Sequence, residues 1–156
     1  MKMPNMFTQL YIHIVFAVKN RNALIDQSWE EALYKYITGT VQKMGQKMLR
    51  INGMPDHIHF LIGLKPDIAI SDLIREVKKS STNHIKEKNL TKFNFNWQTG
   101  FGAFSVSHSQ LDSVINYIIN QKEHHKKKTF KEEYLALLNN YKIEFDEKYL
   151  FEWIEN

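Results

Sequence analysis

Apolar and polar residues alternate in four short segments of the chain, a pattern typical of strands with one buried face. The first segment covers residues 7–18. The next two, residues 47–54 and 57–64, flank turn-forming residues at 53–56 and therefore predict a β-hairpin. Residues 101–107 predict one more strand, so the chain can form a four-stranded sheet.

Apolar residues recur at helical spacing in two of the segments that separate these strands. Ser28 and Glu31 have the spacing of a capping box, which predicts a first helix that begins there and stops near Gly45. A second helix is expected over residues 71–88, followed by a looser stretch up to Trp97.

Two further helices are predicted after the last strand. Ser109 and Asp112 have the spacing of a helix start, and we expect this third helix to continue to about residue 127. Thr129 and Glu132 predict the start of a fourth helix. The last ~20 residues carry no motif beyond a helical extension or tail.

The predicted order of elements is β-α-β-β-α-β followed by helices, which is the order of the split βαβ or ferredoxin-like fold. We therefore predict an α+β, RRM-like protein with an antiparallel sheet, helices on one face and a C-terminal tyrosine-bearing helix. The other face is expected to be open, as a floor for nucleic acid. No repeat or Pro/Gly/Ser-rich linker interrupts the sequence, so residues 1–156 are predicted to form one domain.

The composition agrees with a single globular domain. Of the 156 residues, 43% are hydrophobic and 24% are charged. No apolar run is long enough to cross a bilayer, residues 1–7 lack the features of a secretory signal, and there is no cysteine. We therefore expect a cytoplasmic protein that does not associate with membranes.

A formal net charge of +4 favours a polyanionic partner, and the clustering of the basic residues makes this more specific. One cluster lies on the predicted second helix, and the other is a run that begins with His124 and His125. Such clusters could neutralise several phosphates, although solvated helix faces have the same composition. The side chains expected to contact nucleic-acid phosphates are Lys78, Lys79, Lys86, Lys126, Lys127 and Lys128.

The strand that begins at residue 57 has the sharpest signal for chemistry. Side chains two positions apart on a strand point to the same side, so His57 and His59 are neighbours. Ile58, Phe60 and Ile62 form an apolar row on the opposite side. We expect the two imidazoles on the solvent or functional face, where they suit a divalent metal. Two surface histidines on a half-buried strand would give the same pattern.

The predicted third helix offers a further ligand. Tyr117 and Gln121 are four residues apart, so they lie one turn apart on a face that is separate from the apolar stripe ending at Ile118. A phenol would then lie beside an amide oxygen that can coordinate a hard cation. Taken alone, Tyr117 could equally be an amphipathic residue at the edge of the core.

Together these motifs resemble those of HUH endonucleases. Residues 57–59 resemble the histidine-hydrophobe-histidine motif, and residues 117–121 resemble the helix that carries a single tyrosine nucleophile. Residues 13–19 and 97–107 agree in order and spacing with one family, the TnpA-type single-tyrosine transposases of small bacterial insertion sequences (IS200-like). The resemblance covers roughly residues 8–135.

The resemblance implies a metal-dependent transposase that cuts and rejoins single-stranded DNA through a covalent 5′-phosphotyrosine, with Tyr117 as the nucleophile. His57, His59 and Gln121 would hold magnesium or manganese. No nucleotide cofactor is implied, because the phosphotyrosine conserves the energy of the broken bond. The implied partners are DNA hairpins (imperfect palindromes) and a second copy of the chain, in a homodimer whose tyrosine helix completes the site in trans.

Three polar residues are candidates for the surroundings of the metal. Asp56 can accept a hydrogen bond from a ligand imidazole, and His13 lies on the polar face of the first strand. Asn120 shares the helix face of Tyr117. A satisfied structural histidine is the alternative for His13.

Two other functions stay open. A relaxase or replication initiator of the HUH class is expected to need a longer chain. A catalytically silent ferredoxin-like DNA- or RNA-binding regulator derived from a transposase would use the same sheet and basic clusters. Such a regulator would not need His57, His59, Tyr117 and Gln121 to be intact.

Overall fold

A four-stranded antiparallel sheet forms the centre of the computed structural model, which describes residues 7–154. Its strands, in chain order, are β1 (Leu10–Ala17), β2 (Lys47–Met54), β3 (His57–Leu64) and β4 (Gly102–Val106). Their spatial order is β2-β3-β1-β4, with antiparallel pairing throughout. This is the ferredoxin-like order, so the predicted α+β fold and the β2–β3 hairpin are confirmed.

The pairing of β1 with β3 determines which residues share a face of the sheet. Ile14 lies opposite Phe60 and Val15 lies opposite His59, and paired residues point to the same side. Alternation then gives the sheet an apolar face and a second face, which we call the histidine face. The histidine face carries His13, Val15, Ala17, His57, His59 and Leu61.

Two helices, α1 (Gln27–Lys43) and α2 (Ile70–Glu87), cover the apolar face. The N-cap of α1 is Asp26, whose carboxylate accepts a hydrogen bond of 2.9 Å from the backbone N–H of Ser28. The predicted capping box of Ser28 and Glu31 is therefore wrong. The helix stops where expected, just before Gly45, whose φ of 81° favours glycine.

The predicted third helix is interrupted. It forms α3 (Leu111–Ile119) and α4 (Gln121–His124), and Asn120, with ψ of 19°, separates them. The start predicted from Ser109 and Asp112 is also wrong, because a 3₁₀ turn at His108–Gln110 precedes α3 and no side chain caps it. Two other 3₁₀ turns are Arg21–Ala23 and Glu147–Tyr149.

The helix α5 (Phe130–Asn140) begins as predicted, with the reciprocal capping box of Thr129 and Glu132. Together with α3 and α4 it covers the histidine face. Ile118 packs with Leu61, and the ring of Phe130 stacks on the ring of His57 at 3.8 Å. The expected open face is therefore wrong, because the apolar sides of these C-terminal helices are buried against it.

The segment after α5 packs back against the rest of the protein. Phe151 and Trp153 pack against Phe130 and Tyr134. The side-chain amide of Gln98 donates a hydrogen bond of 2.7 Å to the backbone carbonyl of Glu152. Among the described residues, no helix has the length and apolar character needed to cross a membrane.

Candidate functional site

Glu133 of α5 lies at the centre of a buried polar cluster on the histidine face. Its Oε1 atom lies 2.9 Å from Nε2 of His59, 3.1 Å from Nε2 of His125 and 3.3 Å from Nε2 of His57. Because a carboxylate only accepts hydrogen bonds, these imidazoles donate to it or share a cation with it. One oxygen of Glu133 thus contacts three imidazoles, two from β3 and one from the segment after α4.

The second oxygen of Glu133 contacts the two expected site residues of the tyrosine segment. Oε2 accepts a hydrogen bond from the hydroxyl of Tyr117 and another, of 2.9 Å, from the side-chain amide of Gln121. The amide oxygen of Gln121 points the other way and lies 3.2 Å from Nε2 of His57. The four residues expected from sequence therefore meet in one cluster, together with Glu133.

The two histidines of β3 are not exposed as expected. His57 and His59 each have 0% exposure, because α3, α4 and α5 close over them. Ring stacking on Phe130 accounts for part of the burial of His57. Both imidazoles do point to the side opposite the apolar row of β3, so their predicted orientation on the strand is confirmed.

Asp56 occupies the position expected of a supporting carboxylate. Its Oδ1 accepts a hydrogen bond of 2.7 Å from Nδ1 of His57. Burial opposes the charge on His57, but hydrogen bonds to Asp56 and Glu133 outweigh it and raise the pKa of His57 to about 9. Burial opposes the charge on Asp56 as well, but the hydrogen bond from His57 and the charge of His57 outweigh it and lower the pKa of the Asp56 carboxyl.

His13 of β1 supports His59 from the other side. Its Nε2 lies 2.8 Å from Nδ1 of His59, and the two rings stack with centroids 5.0 Å apart. Burial and the neighbouring His59 lower the pKa of His13 to about 3, and burial also lowers the pKa of His59. Two neutral imidazoles can share one proton in this way, so His13 fixes the ring of His59.

The donor set fits a divalent cation. Nε2 of His57 faces the oxygens of Gln121 and Glu133, while its Nδ1 already donates to Asp56. His125 likewise faces the backbone oxygen of Lys128 and Glu133. A ring nitrogen surrounded by acceptors must carry a proton or bind a cation. The ligand atoms of His57, His125 and Glu133 all lie within 4.8 Å of one another, so these residues could hold a metal.

Tyr117 lies at the rim of the cluster. Its ring contacts those of His59 and His13, with centroid separations of 5.8 and 6.1 Å. Burial, followed by the charge of Glu133, raises the pKa of its phenol, so the phenol is protonated at neutral pH. A cleft of about 200 Å³ is lined by Tyr117, Glu133 and Lys128, among other residues. It gives the half-buried phenol a route to solvent.

The remaining residues predicted from sequence are spread over the surface. Asn120 is exposed at the break between α3 and α4. Lys79 and Lys86 are exposed on α2, across the sheet from the cluster. Lys78 is half-buried and donates hydrogen bonds of 2.8 and 2.7 Å to the backbone carbonyls of Gln98 and Gly100. Burial lowers the pKa of Lys78 to about 8. Lys126, Lys127 and Lys128 are exposed directly after His125.

Glu133 and the ligand geometry of His125 were missed from sequence. Phe130, Tyr134 and Leu138 form the buried side of α5, and Glu133 lies on that same side. A carboxylate within an apolar stripe needs a buried partner, so this position was a usable signal. For His125 the sequence showed only a member of a basic run.

The fold and the site define a ferredoxin-like α+β protein with a buried cluster of histidines, a carboxylate and a tyrosine on one face of its sheet. The family model described as Transposase IS200 like matches residues 6–121, about three-quarters of the chain. The chain therefore belongs to the IS200-like transposase family, which is a family of DNA-processing enzymes. The match ends at Gln121, so His125 and Glu133 lie beyond it.

Individual relatives agree with this assignment. The chain is 26% identical to the ISDra2 transposase TnpA of Deinococcus radiodurans over 120 residues, which cover 72% of this chain and 84% of the relative. Two solved structures share the fold, each with a TM-score of 0.60. One is a Deinococcus radiodurans R1 protein described as a transposase, at 20% identity over 78% of this chain and 97% of that one. The other is a REP-associated tyrosine transposase bound to a REP hairpin, at 18% identity over 80% of this chain and 74% of that one.

Proposed function

We propose that this chain is a metal-dependent transposase that nicks and rejoins single-stranded DNA, with Tyr117 as the nucleophile and His57, His59 and Gln121 as metal ligands. The observation that carries the proposal is the convergence of these four side chains on Glu133. A regulator that only binds DNA would have no use for a phenol held beside buried imidazoles. His125 and Glu133 are proposed as further ligands, since their donor atoms lie in the same cluster.

The side chains supply most of what the reaction needs. In the proposed step, the phenolic oxygen of Tyr117 bonds to a phosphorus of the DNA, and the bond from that phosphorus to the 3′-oxygen breaks. The Tyr117 hydroxyl already donates to Glu133, so this carboxylate can receive the phenolic proton. When bound, magnesium or manganese supplies Lewis-acid polarisation of the phosphate. The leaving 3′-oxygen takes up the proton that Tyr117 gave to Glu133, so the products are a 5′-phosphotyrosine and a free 3′-hydroxyl, and a later strand can reverse the step.

The cluster is assembled within one chain. Tyr117 lies beside His59 of the same chain, which supports a site that acts in cis. The homodimer with a tyrosine helix acting in trans stays a prediction from the family resemblance. DNA hairpins remain the proposed substrate, supported by the hairpin-bound structure of the REP-associated relative.

A covalent-adduct assay tests the proposal. The protein is incubated with magnesium and labelled single-stranded DNA from the flanks of its own gene, and SDS-resistant adducts are counted. We expect an adduct with the wild-type protein and none with Tyr117→Phe, which lacks the nucleophilic oxygen. Retained DNA binding by Tyr117→Phe is the control for folding. If no flanking sequence gives an adduct, the chain acts as a silent DNA-binding regulator instead.

A further inference from the structure

A groove that encloses about 710 Å³ opens beside the buried cluster. It lies between the β2–β3 turn, the segment that joins α4 to α5, and the end of the described chain. We call it the lysine groove and define it by Leu24, Asp56, His125, Lys126, Lys127, Lys128, Phe130 and Trp153. Its lysines and its tryptophan follow residue 121, so the family match does not cover them.

The interior of the lysine groove is apolar and aromatic. Trp153 is half-exposed there, and its ring packs edge-on against Phe130 at 5.5 Å. Leu24 also lines the groove and is partly exposed. A partly exposed indole in a groove that an aliphatic side chain also lines is a surface on which a flat, unpaired base can stack.

The lining of the lysine groove contains more positive than negative residues. Lys126 pairs with Glu123 at 3.0 Å. Within the part of the chain that the structure describes, the ammonium groups of Lys127 and Lys128 have no hydrogen bond or ion pair. Of the two acidic residues of the lining, Asp56 is engaged with His57, whereas Glu132 accepts hydrogen bonds from Thr129 and also interacts with the charge of Lys128. The rim therefore favours an anionic occupant such as a phosphodiester.

The lysine groove is continuous with the proposed catalytic groups. His125 lines the groove and also contacts Glu133. Lys128 lines both the groove and the smaller cleft that contains Tyr117. A single strand could therefore run along the groove, pass Lys128 and present its next phosphate to the phenol.

We propose that the lysine groove binds one unpaired nucleotide of single-stranded DNA, next to the bond that Tyr117 attacks. The base stacks on Trp153 and its phosphates contact Lys127 and Lys128. The position relative to the attacked bond rests on the proposed function, whereas the affinity of the groove for single strands does not. Paired bases in a duplex offer no free face to the indole, so the groove prefers unpaired DNA.

A binding assay in the Tyr117→Phe background separates the groove from catalysis. Fluorescence anisotropy measures the affinity for a short labelled oligothymidylate at several salt concentrations. Lys127→Ala/Lys128→Ala should weaken binding about tenfold and reduce the slope of log affinity against log salt by roughly 1.4, for two lost phosphate contacts on a single strand. Lys35→Ala/Lys43→Ala, a pair of exposed lysines on α1 of which Lys35 pairs with Glu31, should change affinity less than about twofold.

Tryptophan fluorescence gives a second, independent readout. Trp29 and Trp97 are only 6% and 8% exposed, so Trp153 is the indole that a bound base can reach. Oligothymidylate should quench the emission of the parent protein, and Trp153→Phe should remove most of this change. Thermal unfolding checks that Trp153→Phe still folds. If this variant is unstable, Lys127→Ala/Lys128→Ala still tests binding in the groove.

The outcomes distinguish this proposal from the proposed function. The proposed binding of DNA in the lysine groove is supported if the groove variants bind more weakly and with a smaller salt slope, while the α1 pair does not. Equal effects of the α1 pair, or unchanged affinity with no quenching, overturn the groove even when the wild-type protein forms its adduct. Absence of any adduct, with groove-dependent binding intact, overturns the proposed chemistry and leaves the groove as a single-strand binding site.

Discussion

The hydroxyl of Tyr117 donates a hydrogen bond to the carboxylate of Glu133, which lies sixteen residues further along the chain. The same carboxylate faces the imidazoles of His57, His59 and His125. The proposed nucleophile and the proposed metal ligands are therefore joined by one residue of α5, a helix that lies outside the family match.

Removal of Glu133 should strongly destabilise the fold. Glu133→Ala leaves Tyr117, Gln121 and the imidazoles without their shared acceptor, and buried groups without partners are costly. We expect a loss of about 3 kcal/mol and a fall of roughly 10 °C in the thermal midpoint, measured by circular dichroism. Glu132→Gln, at the exposed neighbouring position, is the control. A midpoint within a few degrees of wild type would show that the cluster contributes little to stability.

Addition of magnesium or manganese should stabilise the protein. A cation that binds only the folded state at a hundred times its dissociation constant adds about 2.7 kcal/mol, which corresponds to roughly 5 to 10 °C in a chain of this size. The shift should disappear in His57→Asn, whose own stability must be measured without metal because the imidazole is fully buried. An equal shift in this variant would place the cation elsewhere.

The stability of the metal-free protein should fall as the pH rises from about 6.5 to about 9. The pKa of His57 is raised from 6.5 to about 9, so its charged form is favoured in the folded state. This contribution is complete below about pH 6.5 and is lost as the pH passes about 9. His13, with a pKa lowered to about 3, stays neutral over this range. Thermal unfolding in EDTA measures the trend.

Asp56→Asn is the matched variant for this pH dependence. Loss of the carboxylate that accepts from Nδ1 should lower the pKa of His57 and move the decline in stability to lower pH. An identical pH profile in wild type and Asp56→Asn would show that another group causes the decline.

A mixing experiment should distinguish a cis site from a trans site. Tyr117→Phe and His57→Asn are each inactive by the proposed mechanism. Because Tyr117 lies beside His59 of its own chain, we expect the mixture to form no adduct. Adduct formation by the mixed proteins would show that the tyrosine of one subunit serves the histidines of another, as the family resemblance implies.

The sequence was most informative about local structure. Alternation in residues 57–64 predicted β3 and the common orientation of His57 and His59, because a strand repeats every two residues. The capping box of Thr129 and Glu132 was equally local and was found correctly. The true cap of α1, Asp26, lies two residues before the predicted one, since several polar residues there could serve as caps.

The contacts across long sequence distances could not be predicted in the same way. Periodicity showed that the predicted third helix had an apolar side, but not that this helix and α5 would both pack on the histidine face. His59 and Glu133 are separated by 74 residues. For this reason the sequence located the pair on β3 and the tyrosine helix, but neither the burial of the imidazoles nor the carboxylate between them.

The break at Asn120 leaves backbone carbonyls at the end of α3, and a side chain of β2 donates hydrogen bonds to them. Where α3 stops, the amide of Asn52 donates hydrogen bonds of 3.0 Å each to the backbone carbonyls of Ile118 and Ile119. A sheet residue thereby replaces the next turn of the interrupted helix. These two hydrogen bonds anchor the end of α3 to the β2–β3 hairpin, which also carries His57 and His59. The separation between Tyr117 and these imidazoles is therefore set by a direct link from helix to sheet.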